Sequence, residues 1–166
     1  MNSAKSKRRE DKKPRRIVPT PNDNLLVWDR YRVELLNPAH LIPHEEVRPE
    51  RVDEILAKIR RRNFFHKPIL VDRDTWTILD GHHKWTAACA LGLRRVPVVA
   101  IDYLRDGRIR VEPGEGIEAT AMSKEGILLA ALRSKRFPPK SSRHILPSPL
   151  PRLKIPIVEL LFPVPD

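Results

Sequence analysis

The sequence predicts a compact α+β domain with helices packed on a small mixed sheet. Three observations carry the prediction. Short apolar runs alternate with segments of helical periodicity, one such run passes through a tight turn into an Ala-rich stretch, and the 166 residues suffice for one domain with a core and little more.

Residues 1–23 are basic, contain prolines and show no periodicity, so they read as a disordered tail or one ordered by a partner, and the core is expected over 24–111. Arg32–Leu36 reads as a strand, and Asn37-Pro38 and Ile42-Pro43-His44-Glu45-Glu46 as loop. Pro49-Glu50-Arg51 opens a helix with proline near its first position, and Val52, Ile55, Leu56 and Ile59 give it an apolar stripe. Arg60–Asn63 ends that helix. Pro68–Val71 and Trp76–Leu79 then form a hairpin across Asp72–Thr75. A second helix runs from about His82 and stops at Gly92, with Trp85 packed in the core.

Val96–Ile101 reads as a buried strand in which Pro97 marks an edge or a bulge, and Arg108–Val111 as a further strand. Residues 112–122, with Gly114 and Gly116, read as a mobile link. Ser123 can cap a helix to about Lys135 that buries Ile127, Leu128, Ala131 and Leu132. Eight prolines beyond Phe137 predict extended segments crossing the surface, with Ile155–Leu161 as the ordered piece of the 123–166 region.

Lys and Arg number 32 against 21 acids, a net charge of +11. Residues 1–16 hold eight of those cations against two acids, which leaves the rest of the chain only moderately basic. The tail lacks interleaved aromatics, so a solvated arm is its better reading, and nucleic acid is expected only as a nonspecific partner of that tail. The single cysteine, Cys89, excludes an internal disulfide and reads as a small buried hydrophobe on the apolar side of the Ala-rich helix. No apolar run reaches membrane-span length and no signal-peptide stretch is evident, so a soluble, cytoplasmic protein without a membrane partner is expected. The absence of glutamine in a chain 32% charged leans toward a thermophilic source.

Asp80-Gly81-His82-His83-Lys84-Trp85 is the most informative run. It sits where strand gives way to helix, at the positive end of the dipole and beside unpaired N–H groups. Cations there oppose the dipole, so His82, His83 and Lys84 together point to a bound anion rather than to a plain turn. His44-Glu45-Glu46 reads, from spacing alone, as solvated acids before a helix, and a general base facing the Asp80 turn is the alternative. Phe137-Pro138-Pro139-Lys140-Ser141-Ser142-Arg143-His144 is either a basic surface turn or a phosphate or carboxylate clamp, with little to separate them. Adjacent His82 and His83 do not suit one ion, which argues against a structural zinc. Mg²⁺ held mainly by phosphates, with Asp80 assisting, fits better.

These motifs resemble the ParB/sulfiredoxin superfamily, and within it the free L-serine kinases. The kinases' DGHHRW motif is similar to Asp80–Trp85, with Lys84 in place of arginine, and their Pro-His-Glu matches Pro43-His44-Glu45. Their Lys-Pro before the hairpin matches Lys67-Pro68, and their Pro-Lys-Thr-Thr-Arg-His matches Pro139–His144. The resemblance runs from about Arg32 to Leu161.

It implies a compact ParB/sulfiredoxin-like core and a kinase that phosphorylates free serine, or a similar small hydroxyl compound, using ADP or ATP with Mg²⁺. Glu45 would be the general base, and Asp80 would place the nucleophile or the Mg²⁺. Gly81, His82, His83 and Lys84 would hold nucleotide phosphates, while Lys140, Ser141, Ser142, Arg143 and His144 would close over the substrate.

The chain departs from those kinases in two places. Only Arg105–Ser134 fills the position of an additional lobe, and Glu112-Pro113-Gly114 stands where they carry an aromatic. Sulfiredoxins need a cysteine at the position of His82, and ParB partition proteins carry a Gly-Glu-Arg-Arg box at Gly81–Lys84 and a helix-turn-helix domain downstream. The alternative reading is a nucleotide- or nucleic-acid-binding ParB-like regulator without kinase activity.

Overall fold

A computed structural model describes residues 25–28, 31–114, 116–118 and 122–163. The basic tail expected over 1–23 lies outside the described residues. The main sheet has five strands in the order β1-β2-β6-β4-β5, formed by β1 (Leu25–Trp28), β2 (Tyr31–Leu36), β4 (Ile69–Asp72), β5 (Ile78–Asp80) and β6 (Val96–Ile101). It is mixed: β4 and β6 run parallel with Ile69 opposite Val98, and the other pairs are antiparallel. The fold is α+β with a small mixed sheet, the class that the resemblance implies.

Burial follows position in the sheet. Every residue of β4 and β6 is buried, as strands covered on both faces require, whereas β2 alternates and buries Val33 and Leu35. Pro97 is not at an edge. Strand β6 lies between β2 and β4, with Pro97 opposite Leu35, and the ladder to β4 starts only at Val98, so on that side Pro97 stands at the open end of the strand.

Helix α1 (Pro49–Arg62) has proline in its first turn and ends on Asn63 in the left-handed region (φ 58°), whose N–H returns to the Ile59 carbonyl. Val52 and Ile59 are buried, while Ile55 and Leu56 are half-buried against the core. The chain then forms β3 (Phe64–Phe65), which pairs antiparallel with β9 (Ile155–Pro156). A short helix α4 (Ile157–Leu160) follows β9, and its Leu160 carbonyl accepts the N–H groups of Arg94 and Arg95.

Helix α2 (His82–Ala90) buries Ala87 and Ala88 against the core, and Cys89, one step further round, is exposed rather than buried. Trp85 packs at the core margin and donates its indole N–H to the Pro38 carbonyl at 2.9 Å. Helix α3 (Lys124–Leu132) is capped by Ser123, whose Oγ accepts the Gly126 N–H. It buries Ile127, Leu128 and Ala131 but leaves Leu132 58% exposed, contrary to the expected stripe.

Two strands lie where a link and surface crossings are expected. Strand β7 (Arg110–Pro113) includes Glu112 and Pro113, the first two residues of the predicted link. It pairs antiparallel with β8 (Ser142–Ile145), Glu112 facing Arg143 and Pro113 facing Ser142. Among the described residues, no helix is long and apolar enough to cross a membrane.

Candidate active site

Strand β5 ends the main sheet, so its outward polar groups need partners from elsewhere. The 42–45 loop supplies the first of them. Ile42 N–H donates to the Trp76 carbonyl and Ile78 N–H to the Ile42 carbonyl. His44, fully buried, brings its Nδ1 to 2.6 Å from the Ile78 carbonyl, which fixes the proton on Nδ1 and leaves Nε2 as an acceptor. The segment at Phe137 closes the loop from its other side, with Phe137 N–H donating to the His44 carbonyl and Glu46 N–H to that of Phe137.

Glu45 is thereby turned into the interior, at 7% exposure. Its carboxylate is held by the 140–142 turn. Oε1 accepts from Ser142 N–H (2.9 Å), Ser142 Oγ–H (2.7 Å) and Ser141 Oγ–H (3.3 Å), and Oε2 accepts from Lys140 N–H (3.2 Å). Lys140 adopts a positive φ of 56° to aim these donors. Ser141, 1% exposed, is therefore part of the carboxylate's cradle rather than a surface clamp residue.

Gly114 allows this turn to sit where it does. Its N–H donates to the Ser141 carbonyl at 2.7 Å, and a Cβ there would lie 1.9 Å from the Lys140 carbonyl oxygen. Gly114→Ala is expected to force the two backbones apart and to lower stability by about 1–3 kcal/mol, the usual cost of overpacking. Thermal melts measure the loss, and an unchanged melting temperature counts against the close approach.

The Asp80–Lys84 run divides its work differently from the expectation. Gly81 caps α2 with φ 106°, a conformation glycine adopts readily, and contributes no side-chain cap, so the first N–H groups of α2 keep their capacity for an anion. The three side chains expected to join them on a phosphate bind backbone instead. His82 Nε2 lies 3.2 Å from His44 N and 3.3 Å from Glu45 N and accepts both N–H groups, which leaves its proton on Nδ1, 3.9 Å from Glu45 Oε2. His83 Nε2 accepts the Arg48 N–H at 3.1 Å. Lys84 donates to the Lys67 and Pro68 carbonyls, and burial lowers its ammonium to about 8. Long side chains at a helix start lean back over the preceding segment, and here that segment holds the hairpin and the Glu45 loop.

Asp80 is exposed and faces a cavity of about 540 Å³. Among the described residues, the cavity's polar lining is Arg48, Asp80, Lys140, Ser142, Arg143 and His144, and Leu79, Pro113, Gly114 and Pro139 add to the wall. One acid and three cations give it a positive field suited to a phosphorylated or carboxylate ligand. Asp80 and four of the five predicted clamp residues thus meet in one cavity, while Gly81, His82, His83 and Lys84 are not among its lining residues.

Three contributors carry no signal in the sequence. Arg48 is one of 32 cations, and Gly114 sits inside a predicted link. Tyr103, fully buried, places its hydroxyl 2.8 Å from His144 Nε2, and Lys124 donates to the Tyr103 and Asp106 carbonyls while lying 5.3 Å from the Tyr103 ring centroid.

Three imidazoles share this interior. His44 meets His82 edge to face at 4.6 Å between centroids and lies 6.3 Å from His144. Burial is the main cause that lowers all three. It outweighs the Glu45 charge and the Ile78 carbonyl at His44, holds His82 well below the usual histidine range, and takes His144 to about 3. Burial thus keeps these rings neutral, and at His82 the hydrogen bonds require it as well, since its Nε2 accepts two N–H groups. Among the described residues, no group of three or more His, Cys, Asp or Glu could hold a metal ion.

A mixed sheet with a buried carboxylate beside a cationic cavity defines a small α+β domain with a cavity fit for an anion. The ParB N-terminal domain family matches residues 23–116, and the chain belongs to that family. A ParB-like protein of Sulfolobus acidocaldarius is 41% identical over 73 residues, covering 44% of this chain and 36% of that protein. An ATP-dependent L-serine kinase of Staphylothermus marinus is 38% identical over 73 residues, covering 42% of this chain and 29% of that one. The chain thus matches about a third of the length of these curated relatives. A free serine kinase solved in complex with AMP shares the fold with a TM-score of 0.69 at 17% identity, over 89% of this chain and 98% of that one.

Proposed function

We propose that this chain is a small-molecule kinase that transfers a phosphoryl group from ATP or ADP to the hydroxyl of free L-serine, or a similar small alcohol, giving O-phospho-L-serine. One observation carries the reading: a buried glutamate, Glu45, is held by the same turn that presents Lys140, Ser142, Arg143 and His144 to the Asp80 cavity. The ATP-dependent L-serine kinase among its relatives and the AMP complex of its structural neighbour support it.

In this reading Glu45 receives the alcohol proton. The α2 N-terminus with Gly81 offers N–H groups to nucleotide phosphates, and Arg48, Lys140 and Arg143 neutralise charge on the carboxylate and the transferred group. His82 and His83 contribute by fixing the Glu45 and Arg48 backbones, and Lys84 by tying α2 to Lys67 and Pro68. Mg²⁺ fits as a phosphate-held ion, because Asp80 is the one acid among the described residues that line the cavity and is exposed to it. When bound, the ion would neutralise phosphate charge, with Asp80 as its protein partner.

We assign the protein to the cytoplasm, and its lack of glutamine with 32% charged residues to life at high temperature. The test is to incubate the purified chain with Mg²⁺, L-serine and ATP or ADP and to assay O-phosphoserine. Product with either nucleotide is the expected result. No product with both, and none from other small alcohols, overturns the kinase reading.

A second reading, a ParB-like regulator that binds nucleotide or nucleic acid without kinase chemistry, is favoured by the basic residues 1–16 and by the ParB-like relative. Salt-sensitive DNA binding that disappears when residues 1–16 are deleted, with no turnover, would select it.

A further inference from the structure

We infer that Ser142 is a catalytic proton relay: its hydroxyl takes the proton of the substrate alcohol and passes its own to Glu45. The inference rests on the kinase reading and deepens it.

The difficulty it resolves is access. The Glu45 carboxylate is 7% exposed, already accepts four hydrogen bonds, and is not among the groups lining the cavity. A general base must come within hydrogen-bond reach of the proton it removes, directly or through one intermediary. Ser142 lines the cavity and is also the group bound most tightly to Glu45, with Oγ 2.7 Å from Oε1.

The surroundings of Ser142 Oγ fix the direction of transfer. Its second neighbour is His44 Nε2 at 3.1 Å. The His44 proton is committed to the Ile78 carbonyl through Nδ1, so Nε2 is an acceptor and cannot donate to the serine. The hydroxyl therefore faces two acceptors, and no described group donates to it. Its proton goes to the closer and charged partner, Glu45, because hydrogen bonds to an ionised acceptor are the shorter and stronger kind. Its lone pairs are left for a donor arriving from the cavity.

The step balances within the groups named. The substrate O–H bond breaks as a new Oγ–H bond forms on Ser142, and the original Oγ–H bond breaks as Glu45 Oε1 gains the proton. The freed electron pair on the substrate oxygen forms the O–P bond, and the pair of the breaking P–O bond leaves on the nucleotide. Ser142 ends as it began, and Glu45 carries the proton.

The experiment measures single-turnover rates of the full chain with Mg²⁺, L-serine and the productive nucleotide. In Ser142→Ala the rate is expected to fall about 100-fold with the KM for serine little changed, a loss typical of one proton-transfer partner, and Ser142→Thr is expected to recover most of it. In mixtures of light and heavy water the unaltered chain should give a bowed dependence of rate on deuterium fraction, because two protons move together. Absence of turnover by the unaltered chain overturns the kinase reading and the relay together. Turnover in the unaltered chain with Ser142→Ala within about threefold of it, or with a linear deuterium dependence, overturns the relay alone. Should Ser142→Ala fail to fold, the deuterium dependence of the unaltered chain and the Thr variant decide between the same two outcomes.

Discussion

Glu45→Gln is expected to lower kcat by about 10³-fold while nucleotide affinity, read by calorimetric titration, changes little. Glutamine keeps the shape of the side chain but cannot take a proton. It also cannot satisfy the cradle. Its carbonyl oxygen must stay at the Oε1 position, where Ser141 and Ser142 supply three donors, and this turns the amide NH₂ toward Lys140 N, itself a donor, where 3.2 Å separated donor from carboxylate. One mismatched buried contact costs about 1–3 kcal/mol, so a lower melting temperature should accompany the kinetic loss. If kcat stays within about tenfold, Glu45 is a latch for the 140–142 turn and not the base.

Acid is expected to destabilise the fold well before the carboxylates titrate. His44, His82 and His144 are all lowered from 6.5 in the folded state, His144 to about 3. Below about pH 6.5 the unfolded chain binds protons that the folded chain refuses, so stability present above that pH is lost as pH falls, and for His144 the loss continues to about pH 3. Each histidine withdraws about 1.4 kcal/mol per pH unit across its own window, so at about pH 5 the His144 contribution alone is about 2 kcal/mol. Denaturant melts between about pH 7 and pH 5 measure this. Flat stability over that range would show that the three imidazoles are accessible to protons while folded. Activity should fall in parallel with the folded fraction, because His82 can hold the His44 and Glu45 N–H groups only while neutral.

The elements fixed by local chemistry were legible in the sequence. Proline and the apolar stripe of α1, the hairpin of β4 and β5, the Gly81 start of α2 and the Ser123 cap of α3 each depend on residues a few positions apart. The site is different, because it is built by contacts that periodicity does not encode. Glu45 meets His82 across 37 residues and Ser142 across 97, which is why spacing alone favoured a solvated acid and only resemblance raised a base. Strand β8 reads Ser-Arg-His-Ile, a pattern without alternation, and exists because β7 pairs with it. At Asp80–Lys84 the anion-binding helix start was readable. The inward turn of His82 and Lys84 was not, since it depends on which carbonyls and N–H groups the loops before them leave unpaired.

The histidines have a consequence beyond the site. An outermost strand with open carbonyls invites a strand from another molecule, and β5 would be such an invitation. Here the Ile78 carbonyl accepts from His44, and Ile42 takes the positions beside it. The groups that arrange the cavity also seal the sheet against its neighbours in solution. Acid unfolding that frees these partners should therefore leave the β5 edge open to edge-to-edge association.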